Sequence, residues 1–391
     1  MRPFLERPVV GGAKFEPEGI VHALDNIQKT AGRYEISRRN ALEEHRELCG
    51  TDRRLDIVDA ARLYRAEFQE MLRSLFVAIL TFASLAYARE RPIVAGYVPL
   101  WSDLQTVADN VDFEKLTHIN IAFLNPADET GKLKLDGKVA PFIAAAHRYG
   151  VKVIVSIGGG GASEDAAMRE RYAVLLSAER REAFAAMLVE FAGEHGFDGV
   201  DVDLEGPAIT DAYGPFIAVL STALKSRGLL LTAALSKGYG GDHVPRSAFA
   251  HFDFVHIMAY DATGPWAPGK PGQHSSLRFA HENVEWWLAH GVKPSQATLG
   301  LPFYGYAFGA DAAKRREFNF GEITARWPGA AQRDESGSTV FYNGIPTIQA
   351  KCRLALEKEL AGVMIWHIAG DAKGADSLLQ ATHEMLGGAS R

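Results

Sequence analysis

Residues 196–206 read GFDGVDVDLEG, with Asp201, Asp203 and Glu205 at every second position and Val200, Val202 and Leu204 between them. In a β-strand, alternate side chains point to opposite faces, so this strand has one acidic and one aliphatic face. The aliphatic face demands an apolar cover. The acidic face cannot pack into an ordinary core, because a buried carboxylate is costly unless it is paired or used. Spacing alone leaves open a solvated edge strand, an oxygen-ligand site for a hard cation, or a working acidic surface.

Seven other stretches have strand character: 93–101, 118–124, 151–159, 229–236, 252–261, 297–305 and 362–371. Helical patterns lie between most of them, such as 178–196 and 276–291. This alternation predicts a parallel sheet, and eight units in the region after residue 89 predict an α/β fold of the (β/α)8 barrel type. A doubly wound open sheet is the alternative. In such barrels the site sits at the C-terminal ends of the strands, where Glu205, Tyr260, Asp261, Tyr304 and Trp366 gather. Segment 306–350, between the seventh and eighth strands, is long and polar enough for a small insertion beside the cleft.

The chain is 47% hydrophobic and 23% charged, the balance of a soluble globular protein with a sizeable core. A net charge of −6 with no concentrated basic patch argues against a nucleic-acid partner. Cys49 and Cys352 form no C-x-x-C pair and no H-E-x-x-H occurs, so no metal site is expected.

The first 70 residues stand apart: 25 of them are charged, against 65 of the following 321. Residues 71–92, MLRSLFVAILTFASLAYARERP, then read as a secretory signal: Met71, basic Arg73, the apolar run Leu75–Leu85 and an A-x-A site at Ala86-Tyr87-Ala88. The run is short for a membrane span, which needs roughly 20 residues. The expected organisation is an N-terminal extension over 1–70 arising from an upstream start choice, a signal over 71–88, and the barrel over 89–391. The rival is a genuine N-terminal segment followed by a short anchor or buried helix. On the first reading the mature protein is secreted, extracellular or periplasmic, and keeps only Cys352, with no internal disulfide.

The acidic strand fits D-x-x-D-x-D-x-E through Asp198, Asp201, Asp203 and Glu205, and so resembles the signature of glycoside hydrolase family 18, the chitinases and their relatives. Further matches follow in order. SIGG (Ser156–Gly159) resembles the third-strand S-x-G-G, and MAYD (Met258–Asp261) the sixth-strand M-x-Y-D. GPW (Gly264–Trp266) resembles the loop after it, and GVMIWHIAGD (362–371) the eighth strand with its Trp366. The resemblance spans roughly residues 92–387. One departure is His367, where many relatives carry an acidic residue.

Glycosidic cleavage needs an acid for the leaving oxygen and something to stabilise an oxocarbenium-like centre. Glu205 ends the acidic face and is the candidate acid. Family 18 is a substrate-assisted exception to the two-carboxylate scheme: the 2-acetamido oxygen of the sugar attacks the anomeric carbon. The resemblance implies that Asp203 orients that group, that Asp201 shares a proton with Asp203, and that Tyr260 hydrogen-bonds the acetamido carbonyl. Asp261 would contact the same end of the sugar, and Trp366 would form the floor under the reacting ring. Met258, Trp266, Tyr304, Tyr97 and Phe123 are candidate substrate-lining residues, as are Trp101 and Tyr306, with core packing the competing role. Asp198, Ser156, Gly158 and Gly159 are expected to be structural, the glycines allowing close backbone approach. The implied activity is endo-acting hydrolysis of chitin by a monomer without cofactor. An endo-β-N-acetylglucosaminidase acting on glycans or peptidoglycan, and a non-catalytic chitin-binding lectin, are the alternatives.

Overall fold

A computed structural model describes residues 91–313 and 315–387. The expectations for residues 1–70 and 71–88, and for Cys49, lie outside the described residues.

Eight parallel strands close into a barrel: β1 (Ile93–Pro99), β2 (His118–Ala122), β3 (Lys152–Gly158), β4 (Gly199–Asp203), β5 (Leu230–Leu235), β6 (Phe254–Ile257), β7 (Ala297–Pro302) and, after an insertion, β12 (Gly362–Trp366). Closure is made by β1 pairing with both β2 and β12. Helices cover the outside, among them α5 (Arg181–His195), α6 (Tyr213–Lys225), α7 (Leu277–His290) and α9 (Ile345–Glu357). The unit after β5 carries a 3₁₀ turn, Arg246–His251, in place of a full helix.

Local signals set these boundaries. Ser276 caps α7 by accepting from Phe279 N, and Gly291 ends it in the left-handed region at φ 108°. Gly196 ends α5 at φ 76° and turns the chain into β4. Val200, Val202 and Leu204 point outward, are wholly buried, and join the large cluster between barrel and helices. Each such side chain contributes roughly 1.5–3 kcal/mol of burial. The opposite face of β4 therefore looks into the barrel.

The insertion departs from the expected boundaries. The sequence reading carries the seventh strand through Gly305, but β7 stops at Pro302 and Tyr304 opens a separate antiparallel sheet. That sheet has the order β10 (Glu335–Ser336), β11 (Val340–Phe341), β8 (Tyr304–Ala307), β9 (Glu317–Asn319). The insertion thus begins two residues earlier than 306, and its sheet ends at 341, because 345–357 forms barrel helix α9. The consequence is functional: Tyr304 and Tyr306 belong to the inserted sheet and reach the cleft from outside the barrel.

Candidate active site

The register of the strands builds the site in layers. Ser156 on β3 and Thr232 on β5 sit opposite Asp201 on either side of β4. Both hydroxyls donate to Asp201: Ser156 Oγ to Oδ2 at 2.7 Å and Thr232 Oγ1 to Oδ1 at 2.6 Å. Tyr97 Oη, from β1 across the barrel, donates to Oδ2 at 2.7 Å. Asp201 has no exposed surface. Burial raises its pKa, and these hydroxyl donors oppose that by favouring the carboxylate.

Asp203 lies one inward step nearer the mouth and is 3% exposed. Its Oδ1 has no partner among the described residues. Burial first, then the charges of Glu205 and Asp201, hold its carboxyl well above the usual range. The two acids differ in kind: Asp201 is solvated by hydroxyls, whereas Asp203 is not. Of the two, Asp203 is therefore the one whose surroundings more strongly disfavour the charged form.

Glu205 follows in extended conformation (φ −129°, ψ 159°), so the alternation of β4 continues past its last ladder bond. Its side chain is half-buried. Burial, then the charges of Asp261 and Glu164, push its pKa up to about 7. A carboxyl poised near neutrality is suited to deliver and recover a proton.

The glycines let the neighbouring strand close over this row. A Cβ on Gly158 (φ 107°) would lie 2.2 Å from Asp203 O, and one on Gly159 (φ 73°) 2.3 Å from the Phe123 ring. Asn125 fixes the turn by bonding both Gly158 N (2.7 Å) and Gly158 O (2.9 Å). Asp198 sits at the other end of β4, remote from the mouth, accepting from Val153 N at 2.7 Å and lying 2.8 Å from His147 Nε2.

Trp366 closes the floor at the end of β12. Its ring stacks on Phe123 at 5.7 Å and lies 5.5 Å from Tyr97, while Trp101 stands beside it at 6.4 Å, 69% exposed. Tyr260 is buried beneath the opposite wall, with room for its ring provided by Gly300, where a Cβ would approach within 2.9 Å. Its hydroxyl meets Met364 Sδ at 3.9 Å, a weak acceptor that leaves it able to donate elsewhere. Met258 packs in the same inner cluster. Asp261 adopts φ 63°, and its Oδ1 accepts from Tyr304 Oη at 2.5 Å and Tyr306 Oη at 3.1 Å. Trp266, 61% exposed, stands edge-on to Tyr306 at the rim. His367 is buried edge-on to the Trp366 ring at 5.8 Å, with its Nδ1 unpartnered among the described residues.

A pocket of about 610 Å³ at the mouth of the barrel is lined by Trp101, Phe123, Asp261, Tyr304, Tyr306 and Trp366. Its described lining holds Glu164, Asp261 and Glu317 and no Lys or Arg. No group of three or more His, Cys, Asp or Glu among the described residues is arranged to hold a metal ion.

One residue of the site carries no warning in the sequence. His274, wholly buried, lies 3.3 Å from Asp261 and packs against Tyr304 and Tyr306, yet in the sequence it is one polar residue in a loop. Thr232 had a signal: it is a lone polar residue in the apolar run LLTAAL. Asn120 and His256 share that signal, and meet inside the barrel at 3.2 Å.

The profile of Glycosyl hydrolases family 18 matches residues 93–371. The GH18 chitinase ChiB from the chitin utilization locus of Flavobacterium johnsoniae has 38% identity and a TM-score of 0.71, over 76% of this chain and 94% of that one. Class V chitinase CHIT5 of Lotus japonicus is 29% identical over 273 residues, 60% of this chain and 67% of that protein. A class V chitinase of Arabidopsis thaliana is 27% identical over 356 residues, 77% of this chain and 92% of that one. The family match spans most of the chain and every strand that supplies an acid or aromatic to the cleft, so this chain belongs to glycosyl hydrolase family 18.

Proposed function

We propose that the chain hydrolyses β-1,4-linked N-acetylglucosamine polymers, chitin above all, with retention of configuration and with the substrate's acetamido oxygen as nucleophile. The observation that carries this reading is the pairing of one half-buried acid near neutrality, Glu205, with a second, Asp203, buried one step below and held well above the usual carboxyl range. No independent carboxylate nucleophile is needed if Asp203 serves the acetamido group. The similarity to chitinases supports the choice of polymer.

In the first step the acetamido oxygen bonds to the anomeric carbon as the glycosidic C–O bond breaks, and Glu205 gives its proton to the leaving oxygen. With the shared proton moved onto Asp201, Asp203 faces the cyclic oxazolinium as a carboxylate. Tyr260 donates to the acetamido oxygen, and Asp261 holds the same end of the sugar. Trp366 excludes water from beneath the ring. Glu205, now a carboxylate, then takes a proton from the water that attacks the anomeric carbon from the face the leaving group vacated. The carbon has been attacked twice, so its configuration is retained.

Proton NMR of the first products tests this, with fully deacetylated chitosan, N-glycans and peptidoglycan assayed alongside acetylated oligomers. Retained β-products from chitin and inert chitosan are expected. Inverted products, or brisk cleavage of chitosan, would refute the mechanism. Preferential release of N-glycans would move the assignment to the endo-β-N-acetylglucosaminidase alternative.

Export through residues 71–88 is a companion proposal, supported by the Arg73, Leu75–Leu85, Ala86-Tyr87-Ala88 pattern. N-terminal sequencing of the native secreted protein is expected to begin near Arg89. Mature enzyme still joined to residues 1–70 would defeat it.

A further inference from the structure

Lys351, on α9 outside the barrel, has no exposed surface. Removing an amine from water is costly unless hydrogen bonds replace the lost solvent. Its Nζ donates to Ser275 Oγ and to Asn343 Oδ1, each at 2.6 Å. Asn343 Nδ2 returns to Ser275 O at 3.0 Å, so the three residues close a ring of bonds. Ser275 Oγ also donates to Ala259 O at 2.6 Å. Ala259 is the residue before Tyr260. Two more bonds tie the same segments: Ala262 N to His274 O at 2.9 Å and Asp261 N to His274 Nδ1 at 3.4 Å.

The left-handed backbone of Asp261 gives this network a task. A non-glycine residue at φ 63° costs of order 1–3 kcal/mol and persists only where its surroundings impose it. Segment 259–262 is imposed by three bonds from 274–275, and 274–275 is in turn anchored to the amine. The loop before α7 and the exit of the insertion meet at this nitrogen, and the mouth of β6 is tied to it through Ser275.

We propose that Lys351 is a positioning residue: acting through Ser275 and Asn343, it holds Tyr260 and Asp261 in the conformation that receives the acetamido end of the sugar. The proposal rests on the reading of the site given above. A long unbranched side chain is what reaches from α9 to the loop, and two acceptors await its donors. Methionine would fill the volume and donate nothing. Burial draws the amine down to about 7, and with or without its third proton it keeps two N–H groups for two acceptors.

The test compares wild type with Lys351→Met and, as a milder break of the same node, Ser275→Ala. Steady-state kinetics on acetylated oligomers, inhibition by a thiazoline analogue of the cyclised sugar, and amide hydrogen exchange are measured below the melting temperature of each variant. For Lys351→Met, kcat is expected to fall roughly 10- to 100-fold, the scale of a small misplacement at a reacting centre, with KM little changed. Thiazoline affinity is expected to fall by a similar factor, and exchange across 259–262 and 274–276 to accelerate. Ser275→Ala is expected to move all three readouts the same way by less. A destabilised Lys351→Met with wild-type kcat and thiazoline affinity in its folded fraction would reduce Lys351 to a structural residue. Unaccelerated exchange across 259–262 would overturn the anchoring even if wild type proved inert on every acetylated substrate, an outcome that would instead defeat the proposed activity.

Discussion

The two walls of the cleft are made in different ways. On β4, Asp201, Asp203 and Glu205 occupy one face of a single extended segment, so the backbone alone spaces them. Opposite, Asp261, His274, Tyr304 and Tyr306 come from three segments, and hydrogen bonds rather than covalent spacing bring them together. The first wall holds its geometry wherever the barrel closes. The second depends on contacts between the barrel and its insertion. Damage at Asp203 or Glu205 on the first should remove chemistry and leave the fold, and damage to the second should misplace chemistry that is otherwise intact.

Glu205→Gln should give the largest effect. General acid catalysis contributes typically ~10²–10⁴-fold, so turnover on oligomers with poor leaving groups should fall at least that far, with circular dichroism unchanged. Near-normal turnover would end the assignment. The wild-type pH profile belongs with it. Glu205 titrates near 7, and only its protonated form can act as acid, so kcat/KM should decline above about pH 7. A profile still rising at pH 8 would contradict this.

Asp203→Asn should be severe on the same wall with another signature: turnover falls by more than substrate affinity, because the group serves the attacking acetamido. Weakened binding with unchanged turnover would contradict it. Across the cleft, Tyr304→Phe removes one of two hydroxyls on Asp261 and should cost only several-fold in kcat/KM, since Tyr306 remains, at about 1 kcal/mol for a hydrogen bond. A loss as large as that of Asp203→Asn would erase the distinction between the walls.

The smallest effects are on stability, and their signs differ. Glu205 has its pKa raised in the folded state, so the folded protein binds more protons between about 4.5 and 7 and loses stability as pH rises through that window. Glu205→Gln should therefore be more stable than wild type at pH 8, by ~1–3 kcal/mol in denaturant titration. Lys351 is lowered from 10.5 to about 7, so above pH 7 the unfolded chain binds the extra proton and stability should rise with pH. Lys351→Met should flatten that rise between pH 7 and 9, and an unchanged slope would sink the explanation.

The contrast between walls is also what decided how far the sequence could be read. The β4 acids and MAYD lie within short windows, where period-two alternation and fixed spacing act directly. The eight barrel strands were legible for the same reason. Tyr304 reads as the end of the seventh strand because nothing local marks Phe303 as the point where one sheet gives way to another. His274 and Lys351 were invisible. A lysine in IQAKCRLALEKEL reads as the wet side of a helix, and its burial is dictated by Ser275, 76 residues away in the chain, and by Asn343.

Asp201 joins hydroxyls from three strands, β1, β3 and β5, around one carboxylate. Glu205 accepts no such bonds among the described residues and burdens the fold at neutral pH. The acids are therefore not equally dispensable to a lineage under drift. A descendant that ceased to need hydrolysis could lose Glu205 in one substitution and gain robustness, keeping its aromatic floor for sugar. Loss of Asp201 would first have to survive the loosening of a closed barrel. The easy route from an enzyme of this design to a sugar-binding descendant runs through position 205, and ancestry should leave position 201 the more slowly changing of the two.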